Sequence, residues 1–228
     1  MDRFYCNDLT SSIVVLDLEE SHHLLRVHRK RVGEVVHLFD GNGTLAQGWV
    51  HEVGKNEVLI KLGEITKVPP ASRSITLAVS PLKSEDRFEW LLEKATEIGI
   101  HQFLPILCDR TENKRFRKER YEKIIMGASK QSLKAFIPKI LSPIPLQQAF
   151  QSQLLPWYFG HCLETFPTNE LKSLPVQYPC TLAIGPEGDF SENEIRWMME
   201  QGGVPVSLGT ERLRTETAAI VASTLCLV

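Results

Sequence analysis

The chain has 228 residues, 43% of them hydrophobic and 24% charged, with a formal net charge of −2. This is the composition of a folded globular protein, long enough for one large domain or two small ones. No apolar run reaches the roughly 18 residues of a membrane-spanning helix. The first residues lack the basic-then-apolar pattern of a secretion leader, so a cytoplasmic location and no membrane partner are expected.

The first 68 residues read mostly as strand. Ile13–Leu16 is a short apolar run, and a helix starts near Glu19, carrying His22, His23, Leu24 and Leu25. Arg26, His28, Arg29, Lys30 and Arg31 then form a basic cluster. Three further β-rich segments cover residues 34–39, 48–53 and 57–62, separated by the turn signals Asp40-Gly41-Asn42-Gly43 and Gly54-Lys55-Asn56. Short strands joined by tight turns predict a small barrel. Gly41-Asn42-Gly43-Thr44-Leu45-Ala46 matches the G-x-G-x-x-A dinucleotide pattern. That site needs a helix after the glycines, and a strand-like segment follows instead, so a hairpin is expected. From residue 66 the apolar pattern stops, and Pro69 and Pro70 mark a linker over residues 69–74.

Residues 75–228 alternate between strands and helices. Ile75–Val79 is a buried-strand candidate, followed by a helix from Ser84 to Ile98 that Gly99 ends. A strand is expected over 103–107 and a charged helix over Arg117–Leu133, near a second basic cluster of Lys114, Arg115, Arg117, Lys118, Arg120 and Lys123. Thr181–Ile184 is a strand running into Gly185. Ser191 and Glu194 have the spacing of a capping box at the start of a helix. Val204–Leu208 is a strand entering Gly209, and a last helix starts near Thr215. This order predicts an α/β fold with a mainly parallel sheet covered on both faces.

Five scattered cysteines, Cys6, Cys108, Cys162, Cys180 and Cys226, form no C-x-x-C pair. Neither a disulfide framework nor a structural zinc site is expected. Adjacent His22 and His23 point about 100° apart on a helix, and no ligand spacing accompanies them, so no metal is expected.

The sharper signal is C-terminal. Ile184-Gly185-Pro186-Glu187-Gly188 and Ser207-Leu208-Gly209 are two glycine turns after apolar strands, and Arg212-Leu213-Arg214-Thr215-Glu216-Thr217-Ala218 opens a helix. Glycine at the carboxyl end of a parallel strand lets a ligand approach the backbone, and that edge of an open sheet is where ligands bind.

These strings resemble the C-terminal signature of the RsmE-type RNA methyltransferases of the SPOUT superfamily. Arg3-Phe4, His22-His23-Leu24, Leu38-Phe39-Asp40-Gly41, Pro81-Leu82-Lys83, Arg87, Lys94–Gly99, Gln131-Ser132 and Pro138 extend the likeness over nearly the whole chain. Asp189, where the family usually has glycine, and Lys130, Leu133 and Lys134 depart from its pattern.

The resemblance implies a PUA-like barrel over 1–68 and a SPOUT domain with a deep trefoil knot over 75–228. It further implies a homodimer, and methylation of a uridine ring nitrogen in 16S rRNA of the small ribosomal subunit, with S-adenosylmethionine as cofactor. The cofactor residues it implies are Leu182, Ile184, Gly185, Pro186, Glu187, Gly188, Ser207, Leu208, Gly209, Leu213, Thr215, Thr217 and Ala218. The catalytic candidates are Arg214 and Glu216, and the RNA contacts are Arg3, Arg26, Arg29, Lys30 and Arg31. The alternatives are a knotted methyltransferase with another RNA target and a non-catalytic RNA-binding assembly factor.

Overall fold

A computed structural model describes residues 3–152 and 156–227. Two units pack internally: Met1–Pro70 with Met126–Ile137, and Ala71–Ile125 with Pro138–Val228. The sequence places a single division near residue 70. The structure additionally counts residues 126–137 with the first unit.

The first unit carries β1 (Arg3–Tyr5), β2 (Ile13–Leu16), α1 (Leu18–His22), a π-helical turn (His23–Val27), β3 (Val35–Phe39), β4 (Thr44–Val53) and β5 (Val58–Lys67). Their sheet runs β1-β3-β4-β5-β2, antiparallel except for β1 beside β3. Alternating side chains put Phe4, Val14, Leu16, Val36, Leu38, Val50, Val58 and Ile60 into one core, closed by Leu24 of the π-helical turn. The G-x-G-x-x-A string is the β3–β4 hairpin. Gly41 and Gly43 have positive φ, and the Asp40 carboxylate accepts from the Asn42 and Thr44 amides at 2.7 and 2.8 Å. β5 runs to Lys67, so the strand continues five residues beyond the 57–62 segment that the pattern indicates.

Three departures from the family pattern lie in this unit, and the structure accounts for the side chain of the first. The Lys130 ammonium reaches the nearly buried Glu20 carboxylate at 2.6 Å. Leu133 sits in left-handed backbone with φ 55°, which suits glycine. The Arg3 guanidinium donates to the Leu133 carbonyl and, at 3.5 Å, to that of Lys134, holding this bend in place.

The second unit holds β6 (Ile75–Val79), α2 (Glu85–Ile98), β7 (Gln102–Leu107), α3 (Lys118–Gln131, its last turns counted with the first unit), β8 (Lys139–Ile140) and β9 (Ile144–Pro145). α4 (Leu146–Ser152), β10 (Trp157–Gly160), β11 (Asn169–Glu170), β12 (Cys180–Ile184), α5 (Glu192–Glu200), β13 (Val204–Ser207) and α6 (Thr215–Leu227) follow. The sheet order is β11-β13-β10-β12-β6-β7-β8, with β9 also on β7, and every pairing is parallel.

The central strands are buried on both faces, as a covered parallel sheet requires. Ala78, Leu104, Ile106, Trp157, Phe159 and Ala183 pack with Phe150 of α4 and Ile195 and Met198 of α5. Strand alternation turns their neighbours to the opposite face, where α6 packs on β6 and β12 and α2 packs on α6. Burying each of these large apolar side chains contributes about 1.5–3 kcal/mol.

The expected caps are present. Gly99 ends α2 at φ 117°, and Ser191 and Glu194 form a reciprocal capping box at α5. The charged helix is shorter than the sequence indicates, Lys118–Gln131 instead of Arg117–Leu133, because the chain turns left-handed at Leu133. β10 was not anticipated. It lies between β12 and β13, so the two strands that end in the glycine turns are not neighbours.

Candidate active site

β10, β12 and β13 are parallel, so their carboxyl ends open onto the same edge of the sheet. The chain leaves them at Gly160, Gly185 and Leu208, and the three loops line a single cleft of about 1190 Å³. That exceeds the roughly 300–1,000 Å³ of ordinary small-ligand sites and leaves space for two reactants. α6 begins at the cleft wall, and Arg87 and Arg110 complete the lining.

Of the sequence-predicted residues, Ile184, Gly185, Pro186, Glu187, Gly188, Ser207, Leu208, Gly209, Leu213, Arg214, Thr215, Glu216 and Ala218 line the cleft. Leu182 and Thr217 do not. Leu182 is fully buried two residues inside β12, within the sheet rather than at its edge. The glycine turns do meet at one site, but across the intervening β10, roughly 10 Å apart at two strand spacings.

The loop after β12 is held from three directions. The Arg110 guanidinium donates to the carbonyls of Gly188 at 2.7 Å and Phe190 at 3.3 Å. The Glu187 carboxylate accepts from the Lys83 amide at 2.8 Å. The Asp189 carboxylate accepts from the Cys162 amide at 2.7 Å, which joins this loop to the one after β10. A side chain at Gly185 would press on Phe190, whose amide lies 3.1 Å from the added carbon. One at Gly188 would meet the Arg110 stem at 3.4 Å.

The loop after β13 differs. Gly209 needs its glycine for backbone reasons, with φ 136° and open space where a side chain would point. The Ser207 hydroxyl bridges to Gly209 at 3.3 Å, while Thr210, Glu211 and Arg212 are exposed. At its end, exposed Arg214 begins the last helix through its carbonyl, which accepts from the Ala218 amide at 2.8 Å. Glu216 is 8% exposed and lies 3.7 Å from Arg87 Nε.

Sequence reasoning missed the third wall, residues 160–168, and the roles of Arg87 and Arg110. The signal for the first was present: Trp-Tyr-Phe-Gly after Pro156 is an aromatic, strand-prone run ending in glycine. His161 on this wall is half-buried, with both ring nitrogens out of solvent and without a hydrogen-bond partner. Burial holds its proton affinity below the usual histidine value, partly offset by the Asp189 charge. Such a ring, one nitrogen a donor and the other an acceptor, suits a ligand with a polar edge.

The expected RNA-contact residues lie in the first unit. Arg26, Arg29 and Arg31 are exposed, Lys30 is half-buried, and among the described residues none of the four makes an ion pair. The second basic cluster is partly neutralised: Arg117 pairs with Glu85 at 3.0 Å, and Arg120 pairs with Glu89, whose carboxyl it holds below the usual range. Among the described residues, no group of three or more His, Cys, Asp or Glu could hold a metal, and no helix is long and apolar enough to cross a membrane.

Comparison with known proteins agrees with this geometry. Residues 69–227 match the RNA methyltransferase domain family, and residues 16–63 match the RNA methyltransferase PUA domain family. The ribosomal RNA small subunit methyltransferase E of Bacillus subtilis is 30% identical over 90% of this chain and 85% of its own. A "probable rRNA-methyltransferase" from Porphyromonas gingivalis superposes with TM-score 0.90 at 34% identity, covering 98% of this chain and 95% of that one. The Neisseria gonorrhoeae ribosomal RNA small subunit methyltransferase E, solved bound to S-adenosyl methionine, superposes with TM-score 0.87 at 27% identity over 98% and 95%. With an α/β fold of this topology, a matching PUA domain and a cleft at the same signature turns, the chain belongs to the ribosomal RNA small subunit methyltransferase E family.

Proposed function

We propose that this chain methylates N3 of one uridine in the 16S rRNA of the small ribosomal subunit, using S-adenosylmethionine and giving 3-methyluridine. The observation that carries the reading is the convergence of three strand ends and the start of α6 on one cleft, with Arg214 and Glu216 on its wall. The names carried by the Bacillus and Neisseria relatives, and the cofactor bound in the latter, support it.

The cleft suits the cofactor. It is large, it leaves free space beside Gly209, and it contains the unpartnered nitrogens of His161. Ile184–Gly188, Ser207–Gly209, Leu213, Thr215 and Ala218 would hold the cofactor there, whose sulfonium supplies an electrophilic methyl group. The chain's own residues then have to orient the uridine and handle charge and a proton. The imide nitrogen is a poor nucleophile until its proton leaves. Arg214, exposed at the wall, stabilises the negative charge that develops on a uracil carbonyl oxygen, a contribution of about 10²–10³ in rate. Glu216 either takes the imide proton or orients Arg214, and Arg87 beside it limits the cost of its burial.

Residues 1–68 serve as the RNA-binding barrel, 69–74 as the linker and 75–228 as the transfer domain. Arg26, Arg29, Lys30 and Arg31 contact phosphates, giving affinity without sequence choice, and Arg3 approaches the RNA near the bend it supports. The working form is a cytoplasmic homodimer with a knotted transfer domain. α6 supports the dimer: beyond Glu216 it carries no charged residue, and Leu225 remains 36% exposed. A helix without charge over its last eleven residues is suited to being covered.

The test is nucleoside mass spectrometry after incubation of the protein with small ribosomal subunits and S-adenosylmethionine. We expect 3-methyluridine to appear in 16S rRNA. A methylated ribose, or no new modified nucleoside, would overturn the reading.

A further inference from the structure

We propose that Asp189 is a positioning residue that staples two walls of the cleft together. It occupies left-handed backbone, φ 64°, a conformation that glycine adopts without strain and other residues adopt at a cost. Its carboxylate uses both oxygens. Oδ1 accepts from the Phe190 amide at 2.7 Å, within its own loop, and Oδ2 accepts from the Cys162 amide at 2.7 Å, across to the loop after β10. The Asp189 amide closes the turn onto the Pro186 carbonyl at 2.9 Å. Asp189 and Cys162 both line the cleft.

Hydrogen bonds to an ionised carboxylate are about twice as strong as neutral ones. This one therefore fixes the separation of walls that otherwise belong to two strand-end loops. A residue selected only for the fold would be better as glycine here. A carboxylate is accounted for by the bond it makes across the cleft, because a binding site held in its working geometry loses less on binding. The inference rests on the reading that the cleft holds S-adenosylmethionine.

The experiment compares the full-length protein with Asp189→Gly and Asp189→Asn. Thermal denaturation and calorimetric titration with S-adenosylhomocysteine are the two readouts. For Asp189→Gly the melting temperature should stay or rise, since strain is relieved, while the dissociation constant should increase about tenfold, the scale of one charge-assisted bond. Asp189→Asn should fall between, because its single carbonyl oxygen can satisfy only one of the two amides. If the wild type binds and Asp189→Gly binds equally well, the staple is wrong while the cofactor reading stands. If the wild type itself does not bind, the cofactor reading fails and the inference falls with it. Loss of melting temperature in parallel with affinity would make Asp189 a residue of the fold alone, and would also overturn the proposal.

Discussion

The two glycine turns look alike in the sequence and differ in the structure. The turn after β12 is fixed by Arg110, Lys83 and Cys162, from three separate segments. The turn after β13 has a local hydroxyl bridge and a run of exposed residues. At Gly185 the missing side chain permits close packing on Phe190, whereas at Gly209 it permits a backbone angle. A glycine after a strand thus marks two different physical needs. The first wall is a preformed shelf, and the second has few bonds to break if it must rearrange around substrate.

If the shelf serves binding and the opposite wall serves chemistry, Arg214→Ala should give the largest effect. We expect turnover to fall about 100- to 1,000-fold with affinity for S-adenosylhomocysteine nearly unchanged, as measured by single-turnover kinetics beside calorimetry. Equal losses in both would erase the distinction. Next comes Gly188→Val. The added β-carbon only touches the Arg110 stem at ordinary contact distance, so the fold is spared, while the two methyl groups beyond it take up space at the cleft lining where the cofactor is proposed to rest. Binding should weaken by about 100-fold, or roughly 2.7 kcal/mol, with the fold retained by circular dichroism. Normal binding would mean that the shelf is not where the cofactor rests.

The smallest effect concerns the third wall. Burial lowers the folded-state proton affinity of His161 relative to the unfolded chain. Stability contributed by the neutral ring is therefore complete above the unfolded value, about 6.5, and declines as pH falls below it. Melting temperature should drop on acidification through that range, and His161→Phe should flatten that part of the profile. An unchanged slope would remove His161 from the account.

Much of this was legible because local chemistry fixes it. Gly99, the Ser191–Glu194 pair and the Asp40–Gly43 turn each act within a few residues, and each appears where the pattern indicates. Strand–helix alternation sufficed for the parallel sheet, and the signature turns sufficed for two of three cleft walls. β10 was passed over because a four-residue strand with three successive buried residues shows no alternation, leaving its aromatic, strand-prone composition as the signal. Arg110 and Arg87 were out of reach for another reason: their nearness to Gly188 and Glu216 arises only when strands pair. The basic string near residue 117 misled in the same way. A one-dimensional charge pattern does not display Glu85 and Glu89 across the helix pair. Leu182 was expected as an apolar wall of the cofactor slot; the strand does end at Ile184, as the pattern indicates, but an apolar residue two positions inside the strand serves the sheet core instead of the cleft.

The parallel sheet finishes on one side with Asn169–Glu170 and on the other with Lys139–Ile140, strands of two residues each. A long bare edge would offer foreign chains a ladder to extend, the route to fibres and swapped assemblies. Here an incoming strand finds too few free amides and carbonyls to gain a foothold. Self-association is thereby steered away from the ends of the sheet and toward side-chain packing, which can discriminate between partners.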